Sequence, residues 1–338
     1  MRSAALVVSY ALALAACAPT AAIGPEGEQW SALDISATEI SFGADGVGSL
    51  QYRGGLALAP RGDNSNHEFG GLSGLEILEE NRLLAVSDFG DWLEARLVLS
   101  EAGDLVGVTD VRIAAMRDEG GAVFASKEAA DAEGLAQLPD GRFAVSFEQT
   151  QTIRIYDLNR DGPFGAPRAG PALLGAAGLR PNSGLEAMVS TTDGTLLVGA
   201  EGGEEETTAL WLARLDARDG APEIARYPLE PGYSLTSLDR LPNGDFVALE
   251  RFYAPVIGAR ARITRFSAEE LESANGGIIE VEELAHLAPP RPMDNFEGLS
   301  VARAPDGGVR LYILSDDNFS DRQRTLLLAF DIAEARSD

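Results

Sequence analysis

The sequence predicts an all-β fold, a β-propeller of about five blades, and three observations support this prediction. A short phrase of Leu beside an acid recurs along the chain, Asp-Gly and Asn-Gly pairs follow most copies, and few segments show a helical period. The repeat distance of 50 to 61 residues suits a blade of three or four antiparallel strands. Because one blade cannot bury both of its faces alone, such blades stack radially against one another.

The first element of each repeat is a Gly-Leu-acid phrase or a relative of it. With its Leu taken as the marker, the copies are centred on Leu75, Leu135, Leu185, Leu238 and Leu299, spaced 60, 50, 53 and 61 residues apart. The innermost strands of a propeller line its central channel, and we expect this element to be that strand.

A tight turn and two further strands follow the first element. The turns include Asp140-Gly141, Asp193-Gly194, Asn243-Gly244 and Asp306-Gly307, which are strong hairpin signals. The second strands are apolar and end in an acid, at residues 83–88, 143–148, 196–201, 246–250 and 311–316. Third strands are predicted at residues 95–99, 152–156, 209–213, 261–265 and 325–330.

Two apolar segments upstream of the first repeat, residues 38–42 and 49–58, predict further strands. We favour five blades, with these strands completing the last blade and closing the ring; a sixth blade is the alternative. Residues 267–273 predict one short helix in a loop.

The N-terminus carries the features of an export signal. Arg2 precedes an apolar run from Ala4 to Ala16, which is too short for a membrane span and suits a signal peptide. The run ends in Leu14-Ala-Ala-Cys17, which resembles the lipobox of bacterial lipoproteins, where the cysteine is acylated. We therefore expect a signal peptide at 1–16, lipidation of Cys17, a lipidated tether at 17–35 and the propeller domain at 36–338. An ordinary signal peptide cut near Ala22 is the alternative.

This reading places the protein outside the cytoplasm, lipid-anchored in the periplasm or at the outer membrane. Ala18 lacks the acidic inner-membrane retention signal, so we prefer the outer membrane of a two-membrane bacterium. Cys17 is the only cysteine, so the exported domain forms no internal disulfide.

The composition is strongly acidic, with 53 Asp and Glu against 27 Lys and Arg and a formal charge of −26. Such a surface repels nucleic acid and anionic lipid, so we expect no nucleic-acid partner and membrane contact only through the lipid anchor. It attracts divalent cations. The alternative is that most of these acids only keep the protein soluble.

Several of the repeated phrases are similar to a known family. The phrases Gly70-Gly-Leu-Ser-Gly-Leu75, Ala132-Glu-Gly-Leu135, Asn182-Ser-Gly-Leu-Glu186, Asp294-Asn-Phe-Glu-Gly-Leu299 and Ser315-Asp-Asp-Asn-Phe319 resemble the bacterial phytase-like family, described by an esterase-like activity. The resemblance covers roughly residues 68 to 332 and implies a propeller that hydrolyses phosphate or carboxylate esters. An Arg-His-Gly motif of the histidine acid phosphatase kind is missing, which argues against that mechanism.

The repeated acids are the candidate metal ligands. If the first strands line the channel, their acids recur around one mouth: Glu76, Glu133, Glu186, Asp239 and Glu297. The acids that end the second strands lie in a next shell: Asp88, Glu148, Glu201, Glu250 and Asp316, of which we take all but Glu250 as ligands. Converging carboxylates must protonate, gain Arg partners or bind a cation, and Ca²⁺ takes six to eight oxygen ligands. The alternative is that these acids cap strand ends or tie blades together.

Candidate catalytic residues are few. A Gly-x-Ser-x-Gly elbow and a His-Glu-x-x-His motif are both missing from the sequence, and the histidines are His67 and His286. His67 precedes the first repeat and is the candidate histidine. Arg251 follows the acid of the fourth repeat and is the best candidate to hold a phosphate through a bidentate fork; Arg96 and Arg324 come next. A channel carboxylate, Glu186 or Glu297, is the candidate general base.

Three hypotheses follow from these residues. The first is a Ca²⁺-dependent hydrolase of small-molecule esters, with phosphate esters favoured. The second is a non-catalytic propeller that binds a ligand or protein, and the third is a lactonase-like or carboxylesterase propeller. A mouth filled by Arg–carboxylate pairs would favour the second hypothesis. The substrate and the oligomeric state are left open by the sequence.

Overall fold

The computed structural model describes residues 30–62, 69–180, 183–202 and 206–333. Four strands precede the first repeat: β1 (Ser31–Ala32), β2 (Ile35–Glu39), β3 (Gly46–Val47) and β4 (Leu50–Pro60). The first repeat then forms β5 (Leu72–Leu78), β6 (Arg82–Ser87), β7 (Asp91–Leu99) and β8 (Leu105–Ala115). Together with β1, which pairs with β8, these four strands make blade one.

Blades two and three are four-stranded antiparallel sheets in sequence order. Blade two follows the helix α1 (Lys127–Ala130) and contains β9 (Ala132–Gln137), β10 (Phe143–Phe147), β11 (Thr152–Tyr156), a helix α2 (Leu158–Asp161) and β12 (Arg168–Ala169). Blade three contains β13 (Leu185–Ser190), β14 (Leu196–Ala200), β15 (Thr207–Ala213) and β16 (Glu223–Pro228).

Blades four and five complete the ring. Blade four contains β17 (Tyr233–Arg240), β18 (Phe246–Ala254), β19 (Gly258–Phe266), the helix α3 (Ala268–Ser273) and β20 (Glu282–Leu287). Blade five contains β21 (Asn295–Arg303), β22 (Val309–Asp316) and β23 (Thr325–Ile332). Helix α3 confirms the short helix predicted at 267–273, and Ser267 caps it by accepting a hydrogen bond from the Glu270 amide.

The ring closes through the N-terminal strands. Strand β4 pairs with β23, with Leu56 opposite Leu327, and β2 pairs with the other edge of β4. The predicted five blades with N-terminal closure are therefore confirmed. Strand β1 (Ser31–Ala32) lies before residue 36 and pairs with β8 of blade one, before the chain crosses to blade five. Among the described residues, no helix combines the length and apolar character needed to cross a membrane.

The hydrophobic core is divided among the five interfaces between neighbouring blades. Each of five buried clusters draws its side chains from two adjacent blades, and the last joins blades five and one. A middle strand is covered on both faces by this arrangement. This explains why β10 is buried at every position and reads as a continuous apolar run rather than an alternating one.

Glycine lets the innermost strands approach one another. A β-carbon at Gly74 would lie 2.7 Å from the Glu133 carbonyl oxygen, and one at Gly134 would lie 2.4 Å from the Glu186 carbonyl oxygen. A β-carbon at Gly298 would lie 2.6 Å from the Ser73 carbonyl oxygen. The Gly-Leu phrase is therefore a packing requirement of the channel wall in blades one, two and five.

We expect Leu56→Ala to weaken the closure of the ring. Leu56 lies fully buried in β4, opposite Leu327 of β23. Its truncation removes buried apolar surface and leaves a cavity, so we expect the free energy of unfolding to fall by about 2–5 kcal/mol. Urea unfolding measures the change. Gln51→Ala, at an exposed position of the same strand, is the control, and equal losses in the two variants would contradict the assignment of β4 to the core.

Candidate functional site

A β-bulge at the same position of every innermost strand builds the mouth of the channel. In β9, Ala132 pairs with Phe147 and Leu135 pairs with Val145, so the first strand carries one extra residue. The same shift occurs in the other four innermost strands. A bulge leaves one residue outside the ladder and redirects its side chain. The five bulged residues are Ser73, Glu133, Glu186, Thr236 and Glu297.

The second strands supply a second set of residues at the same mouth. In each blade, one residue of the second strand pairs with the innermost strand just before the bulge, and the residue after it belongs to the set. In blade four the paired residue is Glu250, so the member of the set is Arg251. The set contains Asp88, Glu148, Glu201, Arg251 and Asp316. One cation therefore replaces an acid in a fivefold arrangement.

The carboxylates converge in two overlapping groups. Oxygen atoms of Asp131, Glu133 and Glu148 lie within 4.8 Å of one another, and so do oxygen atoms of Glu148, Glu186 and Glu201. Glu148 belongs to both groups. All of these acids except Glu201 line a cavity of about 360 Å³, and Asp88, Glu297, Asp316 and Lys127 line it with them.

Two basic side chains supply the counter-charge. Lys127 Nζ lies 2.8 Å from Asp88 Oδ2 and 3.1 Å from Asp131 Oδ1. Arg251 Nη2 lies 2.7 Å from Glu201 Oε1, and its Nη1 donates to Asn295 Oδ1 at 3.0 Å. Within the described part of the chain, Glu133, Glu148, Glu186 and Asp316 form no ion pair.

Burial and mutual repulsion raise the pKa of these acids. Burial, with the nearby Asp131 and Glu201, raises the pKa of Glu148 to about 7. Burial raises the pKa of Asp88 to about 6, although Lys127 opposes the shift. The pKa of Glu186 also lies well above its ordinary value, because of burial and the charges of Glu201, Glu133 and Glu297. The cluster therefore holds protons near neutral pH unless a cation is bound.

This cluster predicts a pH-dependent stability. The ordinary pKa of a Glu is 4.5 and that of Glu148 is about 7, so the folded protein binds more protons than the unfolded chain between these values. We expect the unfolding free energy of the cation-free protein to fall from pH 5 to pH 7.5, by about 1–3 kcal/mol from Glu148 alone after allowance for solvent screening.

Urea unfolding at these two pH values in EDTA and in calcium tests the expectation. A divalent cation that binds the ionised carboxylates of the folded protein, and not the unfolded chain, would offset the fall. The acids whose pKa is lowered, such as Asp140 and Asp193, titrate below this window and contribute little there. A cation-free protein that is more stable at pH 7.5 than at pH 5 would contradict the assignment.

Glu76 and Asp239 lie at a different level from the other first-strand acids. Both stand three residues beyond the bulge, so the expectation that all five acids share one mouth is wrong for this pair. Glu76 Oε1 accepts from the Gln137 amide of blade two at 2.6 Å, and Asp239 Oδ2 accepts from the Val301 amide of blade five at 2.5 Å. These contacts give them the blade-to-blade role that the sequence left as the alternative.

Other predicted residues are also located. Glu250 is fully buried between blades three and four, where it accepts from Tyr227 Oη of β16 at 2.7 Å and pairs with Arg262 of β19 at 2.7 Å. His286 lies 2.9 Å from Tyr233 Oη, in blade four. Arg96 pairs with Glu80 in blade one, and Arg324 lies 3.8 Å from Asp294. His67 and Cys17 lie outside the described residues.

Sequence reasoning missed Asp131 and Lys127 as members of the site. Asp131 precedes Ala132-Glu133 as Asn295 precedes Phe296-Glu297, and this correspondence was a usable signal. Lys127 lies in the four-residue helix α1, outside the repeat, and its neighbours in sequence do not distinguish it. Asn295 orients Glu297 by donating to its Oε1 at 2.6 Å.

A larger cavity of about 720 Å³ opens on the opposite face, between blades three and four. Two of its acids have other partners: Asp193 accepts from Thr191 Oγ1 at 2.5 Å, and Glu223 pairs with Arg226 at 3.2 Å. The carboxylate mouth is therefore the better candidate for chemistry.

Comparison with solved structures finds other proteins of similar architecture. The luciferin-regenerating enzyme is 14% identical over 79% of this chain and 94% of its own, with a TM-score of 0.42. Virginiamycin B lyase from Staphylococcus aureus is 11% identical over 87% and 99%, with a TM-score of 0.41. Aldose sugar dehydrogenase from Streptomyces coelicolor is 11% identical over 88% and 98%, also at 0.41. Similarity at this level gives no argument about activity.

No curated protein matches the chain. Residues 67–319 do match a protein family, the one called phytase-like and described as "Esterase-like activity of phytase". The matched region begins just before blade one and ends at Phe319 in blade five, so it contains every carboxylate of the mouth. The chain therefore belongs to the phytase-like family.

Proposed function

We propose that the protein is a calcium-dependent ester hydrolase that acts on phosphate esters at the mouth of its channel. The observation that carries the proposal is the pair of three-carboxylate groups that share Glu148. Membership of a family described by esterase-like activity supports ester hydrolysis as the reaction.

The side chains of the mouth suit a calcium ion. Asp131, Glu133, Glu148, Glu186 and Glu201 offer only oxygen atoms, and Ca²⁺ prefers oxygen ligands whereas zinc prefers His and Cys. Asp88 Oδ1 is buried and accepts no hydrogen bond from the described residues, as expected of a group that faces a cation. A bound calcium ion supplies Lewis-acid polarisation of an ester oxygen and lowers the pKa of water.

Arg251 holds the anionic group of the substrate in this proposal. It is the one cation among the five equivalent residues that the second strands supply to the mouth. It lies between Glu201 and Glu297, with its Nε 3.6 Å from Glu297 Oε1. Burial lowers its pKa, but the surrounding acids raise it further, so the guanidinium stays charged. A guanidinium binds two phosphate oxygens at once and thereby orients the ester.

Glu186 is the better of the two candidate general bases. Glu297 already accepts hydrogen bonds from Asn295 and from Ser73 Oγ at 3.3 Å, and it pairs with Arg251. These contacts suit Glu297 to hold those side chains in place rather than to accept a proton from water. Burial and the neighbouring acids raise the pKa of Glu186, and a carboxylate with a raised pKa is the stronger proton acceptor when it is ionised. Glu186 takes a proton from the attacking water, the oxygen adds to phosphorus, and the P–O ester bond breaks as the alcohol leaves with a proton from solvent.

Two alternatives have support of their own. The Arg251–Glu201 and Lys127–Asp88 pairs occupy part of the mouth, which favours a non-catalytic binding propeller. The family description allows carboxylate esters or lactones as substrates with the same residues.

Calorimetry with calcium tests the proposal on the protein lacking residues 1–17, which retains every strand of the propeller. We expect micromolar binding that is lost in Glu186→Gln or Glu297→Gln, and calcium-dependent phosphate release in a screen of phosphate and carboxylate esters. Failure of the unmutated protein to bind calcium would refute the mechanism, and the acids would then be read as blade-to-blade structure.

We also propose that the protein is exported and anchored through lipid on Cys17. The support is the resemblance of residues 1–17 to a lipoprotein signal. Palmitate labelling of the full chain tests it. Label that persists in Cys17→Ser would refute the anchor.

A further inference from the structure

The hairpin between the second and third strands of blade four is longer than its counterparts in blades one and two. In blade two the pairing of β10 with β11 ends at Phe147 and Thr152. The equivalent pair of β18 and β19 in blade four is Glu250 with Arg262. In blade four the pairing continues without a shift for four more pairs, to Ala254 and Gly258. Four extra residues extend a strand by roughly 13 Å, so the hairpin projects beyond the mouth.

The extension stands directly above the proposed substrate-binding arginine. Alternate residues of a strand share a face, so Tyr253 lies on the same face of β18 as Arg251. From that face Arg251 contacts Asn295 and Glu297 of blade five as well as Glu201, so a side chain on this face of β18 can reach the groups of the mouth. Phe252, on the other face, packs against Tyr233 with ring centroids 5.3 Å apart and fixes the base of the hairpin.

The tip of this hairpin is apolar and exposed. Tyr253 is 66% exposed, Ile257 is 50% exposed and Val256 is fully exposed. Among the described residues these are three of the six large hydrophobic side chains that are exposed, and they lie within five positions of one another. A single exposed apolar residue needs no explanation, but a group beside a polar site does.

Turn chemistry does not account for this composition. Val256 has a φ of 76°, a left-handed conformation that is unfavourable for a β-branched residue. Gly or Asn would suit the turn better. The apolar side chains are therefore at the tip for a reason other than the local backbone.

We propose that the tip, Tyr253, Val256 and Ile257, is a subsite for the apolar part of an amphiphilic substrate. The inference rests on the proposed function: the anionic head engages Arg251 and the carboxylate-bound cation, and an alkyl or aryl group extends along the hairpin. The substrates are then phosphate esters of hydrophobic alcohols rather than of sugars or other polar alcohols. The net charge of −26 argues against docking of the same tip on anionic lipid.

Binding of alkylphosphonates tests the subsite without requiring turnover. Calorimetry in calcium compares ethylphosphonate with octylphosphonate, below the concentration at which the latter forms micelles. Six more methylenes are expected to tighten binding at least about tenfold if part of the chain is buried on the tip. The double variant Val256→Ser, Ile257→Ser reduces this preference to below about threefold and leaves ethylphosphonate affinity unchanged.

Val98→Ser is the matched control, since Val98 is an exposed apolar residue of β7 in blade one. It is expected to change neither affinity. Equal binding of the two phosphonates by the unmutated protein, or a preference that survives in the double variant, overturns the subsite. If the double variant keeps the preference for octylphosphonate but no longer binds phosphatidylcholine vesicles that the unmutated protein binds, the tip is assigned to a lipid surface instead.

Phosphate release from octyl phosphate separates this inference from the proposed function. Chain-length-dependent phosphonate binding without phosphate release would uphold the subsite and refute hydrolysis. Phosphate release in which butyl and octyl phosphate are equal substrates would uphold hydrolysis and overturn the subsite.

Discussion

Glu148→Gln is expected to weaken calcium binding at least about 100-fold and to abolish calcium-dependent hydrolysis. Glu148 is the only residue that belongs to both carboxylate groups found in the described residues, so its replacement leaves each group with two acids. Gln has nearly the same shape but removes a full charge, and carboxylate charge is a main determinant of Ca²⁺ affinity. Calorimetry gives the affinity and phosphate release gives the activity.

Glu76→Gln is the matched control for this prediction. Glu76 is a half-buried channel acid of the innermost strand β5, but it lies beyond the bulge and accepts the Gln137 amide. A Gln side chain can still accept that hydrogen bond, so we expect calcium affinity and stability to stay near those of the unmutated protein. Equal losses of affinity in Glu76→Gln and Glu148→Gln would show that the two levels of the channel act as one site.

Arg251→Met is expected to reduce kcat/KM for phosphate esters by about 10²–10³-fold, the range seen when one charged or hydrogen-bonding group is removed from a transition state. Arg251 lowers the pKa values of Glu186 and Glu297, which burial raises. Its loss therefore raises both pKa values further. The pH at which the remaining activity reaches half of its maximum should rise, because the base must be ionised.

Arg251→Lys and Arg96→Met serve as controls for this second prediction. Lysine keeps the charge but cannot bind two phosphate oxygens in a fork, so we expect partial activity and a nearly unchanged pH profile. Arg96 is half exposed, pairs with Glu80 away from the mouth, and should be silent. A pH profile that does not move in Arg251→Met would contradict its electrostatic role, even if activity falls.

The match between sequence and structure is closest where local pattern and packing agree. The turns at Asp140-Gly141 and Asn243-Gly244 and the buried run of β10 were predicted from residue types alone. These features depend on hairpin chemistry and on burial of both faces, which leave a strong trace in sequence. Closure by the N-terminal strands was predicted from the two apolar segments upstream of the first repeat, and in the structure these strands complete blade five, which supplies only three strands of its own.

The candidate site was less accessible to the same reasoning. Leu185 was taken as the marker of the third repeat, so Glu186, which follows it, appeared equivalent to Glu76. Strand pairing instead makes Met188 the counterpart of Leu75. The true spacing of the markers is then 60, 53, 50 and 61 residues, counted through Leu75, Leu135, Met188, Leu238 and Leu299. A similar one-residue difference buries Glu250 between blades three and four and places Arg251 at the mouth.

The sequence by itself determined the fold class and the acidic character of the channel, and it favoured five blades with N-terminal closure over six. Only the tertiary structure decided which acids meet, because side chains alternate between the faces of a strand and a single bulged residue reverses that alternation. Glu133, Glu186 and Glu297 are bulged and reach the mouth, whereas Glu76 and Asp239 lie three residues on and bind the amides of the next blade. Lys127 joins them from a helix outside the repeat, a contact that depends on the position of α1 above the ring.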